Sequence, residues 1–123
     1  MNKHEIIEKW LYSFGKNVDK KDVENHVTSH GNHLWHLFTW CEIPCFEGDD
    51  ARKAFDNLEY TEAIGFCDGY SNRIKDVKTI GKISSAEVDK YKASDVYIVA
   101  NDFSWTYVRT HEPDLGPYFC INK

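Results

Sequence analysis

Apolar and polar positions along this chain divide it into short helical and extended stretches. Ile6, Ile7, Trp10, Leu11 and Phe14 fall on one face of a helix predicted over His4–Phe14, with Gly15 as its C-terminal stop. Asp19 can cap a second short helix, with Val18 and Val23 as a hydrophobic staple and Val23, His26 and Val27 on one side. Ser29–Asn32 reads as a loop. The aromatic and branched run His33–Trp40 reads as a buried strand, with Leu34, His36, Phe38 and Trp40 on one face and Trp35, Leu37 and Thr39 on the other. Pro44 ends it. A helix then starts at Gly48 or Asp49 and runs to about Leu58, with Ala51, Ala54, Phe55 and Leu58 as its apolar stripe. Asp49 and Asp50 occupy its first turn, where the helix dipole favours them.

The second half is mostly extended. Thr61–Cys67 is a predicted strand closed by an Asp68–Gly69 turn, and the run Arg73–Ile80 favours another. Ser84 and Glu87 form a capping box for a helix ending near Lys92. Asp95–Ala100 is a strand, Asn101–Asp102 a turn, and Ser104–His111 the hairpin partner, followed by a tail. On that last strand Trp105, Tyr107, Arg109 and His111 share one face, and Thr106, Val108 and Thr110 the other. Helices and strands do not alternate regularly enough for a parallel sheet. The expected class is α+β: an antiparallel sheet with a C-terminal hairpin, packed against N-terminal and middle helices.

At 123 residues the chain is expected to form one domain spanning 1–123, and 41% hydrophobic with 15% aromatic residues is too rich for disorder. No apolar run approaches the roughly 18 residues of a membrane span. Glu8 and Lys9 split the N-terminal apolar stretch, unlike the centre of a signal peptide. A cytoplasmic setting is therefore expected, with Cys41, Cys45, Cys67 and Cys120 as reduced thiols.

Charge changes this picture more than composition does. Seven acids lie between Cys41 and Glu62: Glu42, Glu47, Asp49, Asp50, Asp56, Glu59 and Glu62. Against Arg52 and Lys53 they account for the whole net charge of −5. A nucleic-acid binder would carry a basic stripe instead. Glu47, Asp49, Asp50, Asp56, Glu59 and Glu62 are thus candidate contacts for a basic protein partner, although an exposed helix also needs charge for solubility.

Four constellations could carry chemistry. His30, His33 and His36 recur every three residues, and Cys41 and Cys45 follow. On a helix the histidines would align, but on a strand His33 and His36 point to opposite faces and cannot share an ion, so no metal and no cofactor are expected. Cys45, just before a helix start, could have a depressed thiol pKa, but no local nucleophile signature surrounds it. Arg109, His111 and Glu112, with His36, could perform acid–base or phosphate chemistry, Arg109 and His111 lying about 7 Å apart on one strand face. The simpler reading is a polar network tying the last strand to the tail. Finally, four tryptophans and seven tyrosines are many for this length; most are expected in the core, and any that are exposed would make strong interface anchors.

Leu34–Trp40, Cys45–Asn57 and above all Asp95–Phe119 resemble, in order and spacing, domain-of-unknown-function family 4275, a group of short bacterial proteins. These blocks cover somewhat over a third of the chain, and the first 30 residues resemble the family only loosely. The family pattern has a cysteine before the final Gly-Pro where this chain has Leu115, so no role for such a cysteine carries over. The resemblance implies a bacterial cytosolic setting and marks His36, Trp105, Thr106, Tyr107, His111, Glu112, Gly116 and Pro117 as motif positions. It implies no activity.

The residues together lead to the expectation of a non-catalytic, acidic protein-binding domain. Its sharpest form is an immunity protein that neutralises a cognate toxin, a basic nuclease. The alternative is a small hydrolase or nuclease using His36, Arg109, His111 and Glu112. No membrane or nucleic-acid partner is expected.

Overall fold

The computed structural model describes residues 2–28, 33–39, 43–68, 74–91 and 95–122. His30, Trp40, Cys41, Glu42, Gly69 and Lys92, on which several expectations fell, lie outside them. Helix α1 spans Lys3–Gly15 and begins with a capping box in which Asn2 and Glu5 satisfy each other's backbone N–H groups. Asp19 caps the one-turn α2 (Lys20–Val23), its carboxylate accepting from Lys21 N at 2.8 Å, and a π-helical turn follows over Glu24–Thr28. Helix α3 is His36–Thr39, strand β1 Phe46–Glu47, α4 Asp49–Asp56, β2 Glu62–Asp68, β3 Ile74–Gly81, α5 Ser85–Asp89, β4 Asp95–Ala100, β5 Trp105–Arg109 and β6 Tyr118–Ile121.

The strands form one antiparallel sheet in the order β1-β6-β5-β4-β2-β3. The fold is therefore α+β, as the pattern predicts, and its helices divide between the two faces. One core gathers Trp10 and Phe14 of α1, Leu34, Leu37 and Phe38 around α3, and Phe66, Tyr97, Val99, Val108, Tyr118 and Cys120 from the sheet. The other gathers Ala51 and Phe55 of α4, Val88 of α5, and Val96, Ile98, Ala100, Trp105, Tyr107 and Phe119. Alternate residues of β4 and β5 thus serve opposite cores, which is why both strands are apolar almost throughout.

Three expectations need correction. The run His33–Thr39 is a turn and a helix, not a strand. His36, Leu37 and Phe38 donate backbone hydrogen bonds to the carbonyls of His33, Leu34 and Trp35 at 3.0–3.1 Å. Leu34, Leu37 and Phe38 satisfy helical spacing as well as strand alternation, and the segment lies across the first face of the sheet instead of extending it. Gly15 closes α1 from inside the helix rather than stopping it. A Cβ there would stand 3.0 Å from Leu37 Cδ1, so glycine lets α1 and α3 approach closely. The tail is β6, inserted between β5 and the short edge strand β1.

The two β-rich ends are fixed by local devices. Phe103 adopts φ 59° in the β4–β5 turn, donating to the Ala100 carbonyl at 2.8 Å while its ring is buried. Gly116, at φ +90°, precedes a cis peptide bond to Pro117, and a Cβ there would meet the Tyr118 ring at 3.1 Å. Between α1 and the sheet runs a buried polar chain: Trp10 Nε1 donates to Thr106 Oγ1 at 3.0 Å, and Thr106 Oγ1 donates to the Ile98 carbonyl at 2.9 Å.

Thr106→Val removes both bonds and strands the buried indole N–H. The expected loss is about 1–3 kcal/mol in urea denaturation, with Thr106→Ser retaining most of the stability. A Thr106→Val chain as stable as the parent would show that this chain of bonds does not hold α1.

Candidate functional site

Asp95 opens β4 and is fully buried, with 0% of its surface exposed. Its pleat position is set by the strand: Val96 faces the α4 core, so Asp95 and Tyr97 face the α1 and α3 side. Tyr97 receives the Trp35 backbone N–H at 3.0 Å on its hydroxyl, which fixes the turn before α3 against β4. That contact brings His33 to Asp95, with His33 Nδ1 3.2 Å from Asp95 Oδ2. From the other side, the chain leaves β5 at Arg109 and bends. His111 then places both its backbone N–H (2.8 Å) and its ring Nδ1 (2.9 Å) on Asp95 Oδ1.

The result is a carboxylate between two imidazoles. The His33 and His111 ring centroids are 4.9 Å apart, Trp35 stacks on His33 at 5.8 Å, and His111 Nε2 faces Glu112 Oε1 at 3.3 Å. Thr110 holds the loop beyond. Its hydroxyl donates to the Leu115 carbonyl and accepts from Glu112 N at 3.2 Å.

His36 supports this cluster from behind. Its Nδ1 accepts the His33 backbone N–H at 3.4 Å, and the ring also hydrogen-bonds the His26 backbone. Burial, then the neighbouring His33 imidazole, lower its pKa from the ordinary histidine value. A neutral ring with Nδ1 as acceptor suits that bond, so His36 positions His33.

The residues singled out from sequence separate here. His36, His111 and Glu112 gather, but Arg109 does not join them. It shares the pleat of Tyr107, faces the second core, and donates from Nη2 to the Tyr91 carbonyl at 3.0 Å. His111 lies beyond the end of β5, so the two were not on one strand face. His33 and Asp95 complete the group. His33 was set aside because a strand would turn it away from His36, and the helical turn removes that ground. Asp95 had one sequence signal, a lone carboxylate opening an otherwise apolar strand.

Cys45 and Cys120 are not poised as nucleophiles. Burial pushes the Cys45 thiol up to about 12, with Cys120 and Glu47 adding to the effect, and Cys120 up to about 11. The helix-start effect that could have depressed the Cys45 thiol is therefore not in play. Cys45 precedes β1, not a helix N-terminus. Cys45 and Cys120 form no disulfide among the described residues.

The acidic residues form a band rather than a cluster. Glu47 lies on edge strand β1 and Glu62 at the start of β2, and three strands stand between, about 19 Å across the sheet. Asp49 is 89% exposed and 3.3 Å from Arg52. Asp56 is committed inside the fold, accepting Ser85 N and Ser85 Oγ at 2.7 Å each and so tying α4 to α5. Beside the band, Phe46 (49% exposed) and Ile121 (51%) stand on the α4 side of the β1–β6 edge.

A family model described as a domain of unknown function, DUF4275, matches residues 4–119. The chain belongs to this family. No curated protein and no solved structure matches it. The match takes in His33, Asp95 and His111 together with α1, whose sequence resembled the family least.

Arg109→Ala should leave the imidazole resonances of His33 and His111 in place, whereas Asp95→Asn should move both. His111→Ala should cost about 1–3 kcal/mol in a denaturant melt, because it takes a ring partner from a buried carboxylate. Imidazole NMR on the three variants checks the separation. A shift of His111 in Arg109→Ala would place the guanidinium back in the cluster.

Proposed function

We propose that this chain is a non-catalytic, acidic protein-binding domain, and most specifically an immunity-type inhibitor that neutralises a basic toxin domain such as a nuclease. The observation that carries the reading is Phe46. It is an aromatic side chain half exposed on the edge strand, immediately before the acidic stretch Glu47–Asp50. Binding hot spots combine such an aromatic anchor with a charged surround, and the surround chiefly speeds and orients encounter. The band of Glu47, Asp49, Asp50, Glu59 and Glu62 carries a single sign of charge, relieved at Asp49 by Arg52. Charge complementarity therefore selects a basic surface. Asp56 leaves the candidate contacts, since both of its oxygens are engaged by Ser85.

A second reading has one observation in its favour. The His111 ring bridges Asp95 at 2.9 Å and Glu112 at 3.3 Å while remaining 37% exposed. A buried carboxylate behind a half-exposed imidazole is an arrangement suited to a general base in a small hydrolase or nuclease. Arg109, the cation that would have held a phosphate, is not beside it.

If a toxin domain is encoded beside this chain's gene, cells producing it should survive when the chain is co-expressed, and should die with Phe46→Asp; a neighbouring gene without a toxin domain counts against the inhibitor reading. Failure of the parent to rescue would overturn the inhibitor reading. Hydrolysis of RNA or ester substrates by the parent, lost in His111→Gln, would put the second reading in its place. Reversing Glu47, Asp49, Asp50 and Glu59 to lysine should slow association with that toxin domain by at least about tenfold at low salt and flatten its salt dependence, with the melt unchanged. Adding Asp56→Lys should instead cost about 1–3 kcal/mol of stability. Stopped-flow association and thermal melts measure the two effects separately.

A further inference from the structure

The cluster at Asp95 has a property that neither reading uses. Asp95 Oδ1 takes two hydrogen bonds from His111, at 2.8 and 2.9 Å. Asp95 Oδ2, equally buried, takes no well-directed hydrogen bond among the described residues, although His33 Nδ1 is 3.2 Å away. Buried carboxylate oxygens almost always have a donor or a cation, because desolvating one without compensation is costly. Here the oxygen stands 3.2 Å from the His33 ring, while its partner oxygen holds His111. One donor atom each from His33, Asp95 and His111 lies within 4.8 Å of the others.

We propose that His33, Asp95 and His111 form a divalent transition-metal site of the zinc class. The donor set selects the metal. Two imidazoles and one carboxylate suit borderline ions, whereas calcium and magnesium favour oxygen donors. Tetrahedral zinc, with bonds of about 2.0–2.1 Å, places its ligand atoms about 3.3 Å apart. The trio therefore closes by about 1.5 Å or less to reach that spacing. His33 lies in the turn before α3, and His111 lies in the bend after β5. Asp95 is the fixed member, held by β4.

The surrounding groups fit the assignment. His36 orients His33 through its backbone N–H, and Trp35 stacks on the His33 ring, so the ligand is aimed by its neighbours. Glu112, 3.3 Å from His111 Nε2, adds a second negative group at the open side. Three protein ligands leave the fourth position to water on the side where His111 meets solvent. The site also spans three segments far apart in sequence: the turn before α3, the start of β4 and the end of the β5 bend. Zinc there would clamp the α3 layer to the sheet.

The experiment uses the full chain, treated with a chelator and then titrated with Zn2+ against a chromophoric competitor. One ion per chain is expected, with Co2+ giving the intense visible bands of a four-coordinate site. Asp95→Asn and His33→Gln, each checked for folding by circular dichroism, should weaken Zn2+ by at least about 100-fold, while His4→Gln, on the exposed face of α1, should not. If either variant fails to fold, imidazole 15N shifts of the parent decide. Zn2+ should move His33 and His111 and leave His4 in place. Substoichiometric zinc in the folded parent, unchanged affinity in folded variants, or a Zn2+-induced shift at His4 instead would overturn the proposal. Toxin rescue in cells can fail without touching any of these results, so the metal site and the inhibitor reading fall separately.

Discussion

Everything near the candidate site depends on one buried carboxylate. Asp95 stands at the first position of a strand whose other residues are apolar, and it has no exposed surface. A carboxylate in that position must be compensated by the chain around it. The compensation comes from two separate segments: the turn carrying His33 and the bend carrying His111. Their convergence shapes the route of the chain after β5. Instead of extending the strand, the backbone turns so that His111 can give both its N–H groups to one oxygen.

That demand sits within a sheet covered on both faces. Because β4 and β5 supply alternate residues to two cores, neither strand has a solvent face on which a polar group could sit cheaply. Three polar side chains bridge separate segments of the fold. Thr106 links Trp10 to the Ile98 carbonyl, Tyr97 receives Trp35 N–H, and Asp56 holds the start of α5. Three of these contacts bring a helix, or the turn before one, to a segment distant in sequence: Trp10 to Thr106, Trp35 to Tyr97 and Asp56 to Ser85. The apolar layers supply the driving force for docking the helices, and the polar bonds set the position and register in which they dock.

The protein therefore presents two different surfaces. Around His33 and His111 the chemistry is compact, half-buried and rich in imidazole. Along β1, α4 and the start of β2 it is spread out and acidic, with Phe46 half exposed beside it. The pleat separates the two, since residues one apart on the central strands face opposite layers. The pleat also carries Arg109 to the α5 side, and the bend after β5 takes His111 to Asp95 on the other.

The amino-acid sequence alone determined the class of fold, the caps at Asp19 and Ser84, the acidic stretch and β4 to the residue, because each rests on local spacing or local hydrogen bonding. The family was also legible, in motifs that the family match over 4–119 contains. What lay beyond local reading was the pairing of distant segments. The run His33–Thr39 satisfies strand alternation and helical spacing equally well, and only its docking across the sheet selects the helix. The tail reads as a tail until β1 and β5 flank it and make it β6. His33, Asp95 and His111 are separated by 62 and 16 residues in sequence, and no periodicity links them. Tertiary structure alone decided that they meet, because a buried carboxylate draws partners from wherever the packed sheet and helices bring them.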